Sequence, residues 1–95
     1  MSAGPAGGQT PAPDAVRVRV ASILHKYTGG ASELLAAGRT LRAVLSDLER
    51  RHRGFRFRIV DEQDRIRPHI KVYVAGRPAR DLGAPLAPGD EVHVL

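Results

Sequence analysis

The chain has 95 residues, enough for one modest hydrophobic core and too few for two. It is 42% hydrophobic and 26% charged, with no apolar run near the roughly 18 residues that span a bilayer and no cysteine, so a spanning helix, disulfides, thiolate nucleophiles and cysteine-rich metal sites are all excluded. Thirteen arginines and two lysines outweigh ten acidic residues, giving a net charge of +5 that attracts nucleic acid, anionic membrane or an acidic protein without choosing among them.

Residues 1–15, MSAGPAGGQTPAPDA, are Gly, Pro, Ala and small polar residues without apolar periodicity, and they read as a disordered leader before a folded domain at 16–95. Gly7-Gly8 lacks the Gly-Lys-Ser/Thr that completes a phosphate-binding loop, and no cationic segment followed by an apolar one marks a secretory signal, so a cytoplasmic protein is expected. From Val16 to Leu24, VRVRVASIL begins with strict alternation, Val16, Val18 and Val20 against Arg17 and Arg19, the period of a half-buried strand. Thr28-Gly29-Gly30 is a turn signal, and Glu33 to Ala37 can return antiparallel to the first strand.

Thr40 precedes Leu41, Val44, Leu45 and Leu48, an N-cap followed by an apolar stripe at helical spacing. This predicts an amphipathic helix over 41–52, closed by Gly54. Phe55-Arg56-Phe57-Arg58-Ile59 alternates again and reads as extended, with Asp61-Glu62-Gln63-Asp64 as a polar turn after it. Ile70 to Val74 is a strand that Ala75-Gly76-Arg77-Pro78 reverses, Leu82 to Pro88 is a loop anchored by Leu82 and Leu86, and Glu91 to Leu95 is the last strand. The order describes an α+β roll, one main helix across a mixed sheet of four or five strands.

Chemistry of the chain's own is not indicated. His25, His52, His69 and His93 fall in different elements without metal-ligand spacing, and the serines show no nucleophile elbow. No catalytic, metal or cofactor-binding residue is assigned. The run Arg50 to Arg58 interleaves basic and aromatic residues as single-strand nucleic-acid binders do, but Phe55, Phe57 and Ile59 are expected to turn inward, leaving no platform for bases.

From Val16 to Leu95 the chain resembles the MoaD/ThiS family of β-grasp, ubiquitin-like sulfur carriers, and most of all the branch serving cysteine biosynthesis in actinobacteria. The residues that carry the likeness are Thr28-Gly29-Gly30 after the first strand, Gly38-Arg39-Thr40-Leu41 opening the helix, Asp47-Leu48-Glu49, Ile70-Lys71-Val72-Tyr73-Val74, and Gly89-Asp90-Glu91-Val92, in that order. The resemblance implies a non-enzymatic protein. Its terminal Gly-Gly carboxylate would be adenylated with ATP by an E1-like enzyme, converted to a thiocarboxylate, and delivered to a sulfur-accepting biosynthetic enzyme making cysteine, molybdopterin, thiamine or a secondary metabolite. Glycines suit such a tail because without a Cβ the backbone threads a narrow channel. Neither linker nor Gly-Gly follows Leu95 in this sequence.

The resemblance also implies that the first and last strands lie together at the sheet's centre. Period two then turns Val16, Val18, Val20, Ile70, Val72, Val74, Val92 and Val94 toward the helix. Arg17, Arg19, Lys71, Tyr73, His93 and Leu95 fall on the other side, a basic face on which family members dock partners and which is expected to meet an acidic patch. A carrier, monomeric when free, is the first reading. A tail-less β-grasp interaction module is the second, and a small RNA-binding β-grasp domain the third.

Overall fold

The computed structural model describes residues 15–95. The expected leader lies outside the described residues except for Ala15, which already belongs to the first strand. The elements are β1 (Ala15–Val20), a 3-10 helix (Ser22–Tyr27), β2 (Glu33–Ala37), α1 (Leu41–Arg51), α2 (Phe55–Ile59), β3 (Val72–Val74), β4 (Arg77–Pro78) and β5 (Glu91–Val94). They form a five-stranded sheet in the order β2-β1-β5-β3-β4, with β1 and β5 parallel at the centre and the other pairs antiparallel.

The alternating valines set the register. Val18 lies opposite Val92 and Val20 opposite Val94, and across β5 the partner of Val94 is Val72 and that of Val92 is Val74. All six are buried against Leu41, Val44, Leu45 and Leu48, the apolar stripe of α1. The Thr40 hydroxyl accepts from the Ala43 amide at 3.1 Å, which satisfies one of the helix's orphan donors. Two more are met by the loop after β4: Leu41 N–H donates to Ala84 O and Arg42 N–H to Leu82 O. Leu82 and Leu86 hold that loop down by burying their side chains.

Three segments differ from the sequence expectation. The strand predicted over Val16 to Leu24 ends at Val20; Ala21 donates to Val94 O, and the chain turns into the 3-10 helix, burying Leu24 and leaving Ile23 exposed. The buried Thr28 hydroxyl closes this turn onto the carbonyls of His25 and Ala31. Ladder geometry before β3 is regular only from Val72, although Lys71 and Leu95 exchange two backbone hydrogen bonds and carry the pairing one step further.

The third difference is larger. Residues 55–59 are a short helix, not an extended segment, and Phe57 faces water instead of the core, with 51% of its surface exposed. Over five residues, period two and the i, i+4 repeat both place Phe55 and Ile59 on one side; only the middle residue distinguishes them. Two local features choose the helix. Gly54 takes a left-handed conformation (φ 90°) that lets the chain leave α1, and the Glu49 carboxylate accepts from the amides of Gly54 and Arg56, each at 2.9 Å, capping the new helix. Burial raises the Glu49 carboxyl, but these amides, with Arg53 and Arg56, hold it below its ordinary value.

Candidate functional site

The outer face of the sheet is built by the residues that alternate with the buried valines. Register fixes the rows: Arg19 of β1 stands beside His93 of β5, which stands beside Tyr73 of β3, and the next row pairs Leu95 with Lys71. Arg17 lies one step back, opposite Glu91. All six residues named from the sequence share this face: Arg17, Arg19, Lys71 and Leu95 are exposed, Tyr73 and His93 half-buried.

The face is less basic than expected. Register puts Glu33 and Leu35 of β2 opposite Arg19 and Arg17, and Glu91 on the same side as His93. Glu33 lies 3.7 Å from Arg17 Nε; Glu91 lies 3.9 Å from Arg19 Nη1 and 3.6 Å from His93 Nε2. Such exposed pairs contribute little stability, yet they neutralise both arginines and leave Lys71, beside Leu95, as the cation without a carboxylate partner among the described residues. His93 Nε2 is covered and makes no hydrogen bond among the described residues. The alternation that assigned His93 also assigns Glu91 two residues earlier; that signal was in the sequence. Glu33 needed the β1–β2 register, which the turn at residues 28–30 does not disclose.

The other charged clusters are structural. Asp47, on the sheet-facing side of α1, accepts from the Ala37 amide at 3.0 Å and from Arg51 at 3.1 Å, and also pairs with Arg50. Burial pushes its carboxyl up, and these donors more than offset that and lower it. Asp64 joins Arg56 at 2.6 Å and Arg42 at 2.9 Å, and those two hydrogen bonds hold its carboxyl below the usual carboxylate value. No group of three or more His, Asp or Glu among the described residues is arranged to hold a metal ion.

What this site offers is a surface that closes at one pole of the sheet. Because β1 and β5 are parallel and β3 is antiparallel to them, Ala21, Leu95 and Lys71 meet at one pole of the sheet. Leu95 stands at that pole, 53% exposed, with Arg19 and His93 beside it.

No protein-family model matches the chain. It is 35% identical over 85 residues to the sulfur carrier protein CysO of Mycobacterium tuberculosis, an alignment covering 84% of this chain and 91% of that one. The crystal structure of M. tuberculosis CysO matches with a TM-score of 0.79 at 33% identity, covering 84% of this chain and 96% of the other. A chain of the Amycolatopsis orientalis BexX/CysO complex matches equally, with a TM-score of 0.79 at 32% identity, covering 84% and 92%. SAMP1 of Haloferax volcanii shares the fold at a TM-score of 0.72 and 21% identity over 85% of this chain and 92% of its own. With identity of this size across the whole β-grasp domain, the chain belongs to the CysO family of sulfur carrier proteins.

Proposed function

We propose that the chain carries sulfur for cysteine biosynthesis, as a protein substrate and not an enzyme. The observation supporting this, beyond family membership, is the placing of β5. It runs up the middle of the sheet, hydrogen bonded to β1 on one side and β3 on the other, so any residues beyond Leu95 would leave the fold at a fixed point. A terminal carboxylate attached there through a short glycine arm reaches into a partner's active site while the rigid sheet stays outside. Arg17, Arg19, Lys71, Tyr73, His93 and Leu95 then serve as the docking face, first for an E1-like adenylating enzyme and afterwards for the sulfur-accepting enzyme. Tyr and Arg are favoured at the centres of such interfaces. The work is cytoplasmic, where ATP is at hand; no helix among the described residues is long and apolar enough to cross a membrane.

The intact mass of the native protein tests the reading. Glycines beyond Leu95, and a mass gain of one oxygen-for-sulfur exchange on incubation with the adenylating partner, ATP and a sulfur donor, are expected. A native protein ending at Leu95 overturns it in favour of an interaction module.

A further inference from the structure

The large hydrophobic side chains exposed among the described residues are Ile23, Phe57 and Leu95. Leu95 belongs to the sheet face; Ile23, 75% exposed, and Phe57 line a different surface. They flank an open groove of about 290 Å³ between the 3-10 helix, α2 and the segment before β3, floored by Leu24 and Ile70 and edged by Arg58, Arg67 and His69. Two large apolar side chains left in water around one concavity are a mark of a binding surface.

The charge around the groove has one sign. Arg58 and Lys26 stand over the Tyr27 ring, at 4.9 and 5.4 Å from its centroid, and Arg67 lies over Phe57 at 4.5 Å. None of the three has a carboxylate within 4.0 Å among the described residues, and no carboxylate lines the groove. Asp61, which Arg67 attracts, is turned instead onto the amides of Gln63 and Arg65. On the sheet face, by contrast, Glu33 and Glu91 already neutralise Arg17 and Arg19. Arg58 and Arg67 therefore give the groove two cations without a carboxylate partner beside its apolar floor, whereas on the sheet face Lys71 is left as one.

We infer that this groove docks a segment of a partner protein that presents aliphatic side chains flanked by Asp or Glu. The apolar floor and Ile23 receive the aliphatic groups, and Arg58 and Arg67 meet the carboxylates. Single-stranded nucleic acid fits less well. The floor, Leu24 and Ile70, is aliphatic, and one face of the Phe57 ring is covered by the Arg67 guanidinium, which is locked by donating from Nε to Phe57 O at 2.7 Å. The inference is independent of sulfur transfer and leaves the sheet face free.

The test is a titration of the intact chain, followed by amide chemical shifts, with a labelled Leu/Glu peptide, its Leu/Gln counterpart and oligouridylate. The Leu/Glu peptide is expected to shift Ile23, Phe57, Arg58, Arg67 and His69. It should bind at least about tenfold more tightly than the Leu/Gln peptide and lose about tenfold in Phe57→Ala and in Arg67→Ala, with melts unchanged. Equal binding of both peptides, shifts confined to the sheet face, wild-type affinity in the variants, or tighter binding of oligouridylate at these residues would each overturn it.

Discussion

Asp47→Ala probes how the helix is fastened to the sheet. Asp47 binds the Ala37 amide at the end of β2, while Arg51, which pairs with Asp47, donates from its other terminal nitrogen to Leu35 O at 2.6 Å. Removing the carboxylate leaves the Ala37 N–H without its partner and takes away a charge-assisted bond, about 2–3 kcal/mol. The guanidiniums of Arg50 and Arg51, both largely in water, add less than about 1 kcal/mol. In a domain of this size the melting temperature then falls by roughly 10–20 °C. Asp47→Asn keeps an acceptor for the amide and loses only the charge, so its fall is the smaller.

The pH dependence has a defined sign. The folded-state carboxyl is lowered from its ordinary value of 3.8, so its contribution is full above that value and is lost as pH drops through the folded one. The gap between wild type and Asp47→Ala therefore stays level from neutral pH down to the unfolded value and narrows below it. Calorimetric melts over a pH series measure both effects. A variant melting within about 2 °C of wild type, or a gap that does not narrow in acid, refutes the reasoning.

Phe55→Ala and Phe57→Ala separate the helical from the extended reading of residues 55–59: denaturant titration should give a loss of about 3–5 kcal/mol for the buried Phe55 and under about 0.5 kcal/mol for Phe57. At Gly38 an added Cβ would lie 2.8 Å from Val44 N and 2.9 Å from Ala43 Cβ, so Gly38→Ala must push the first turn of α1 away and should cost about 1–3 kcal/mol by the same titration. The double variant Arg19→Glu, Tyr73→Ala should abolish co-purification with the carrier's enzyme partner while lowering the melt only slightly, since both sites are at least partly in water; unaltered co-purification counts against the sheet face as the docking surface.

Where the sequence was readable, one rule applied over a long enough run. The valines of β1, β3 and β5 and the stripe on α1 each repeat often enough to fix a face, and the core follows from them. In Phe55 to Ile59 the run was too short for its period to be decided, and what decided it, the Glu49 carboxylate accepting from the amides of Gly54 and Arg56, is a local side-chain-to-backbone contact that apolar periodicity does not register. The outer sheet face was legible in the same way, residue by residue, but of its neutralising carboxylates only Glu91 was. The pairing itself depended on which carboxylate each arginine meets across a strand boundary, a property of register. The groove at Ile23 and Phe57 is written in no single stretch, because it joins the 3-10 helix at residues 23–24 to residues 57–70, each part ordinary by itself.

The central position of β5 also bears on how the protein is made. Translation supplies β5 last among the strands, yet it is the piece that joins β2-β1 to β3-β4. Until it pairs, nothing in the sheet joins β2-β1 to β3-β4, and the inner edges of β1 and β3 have no partner strand. Substitutions at Val92 or Val94 should therefore slow folding and raise aggregation more than equal losses of volume in α1. The pole where Leu95, Ala21 and Lys71 meet is accordingly complete only in a chain whose sheet is already closed.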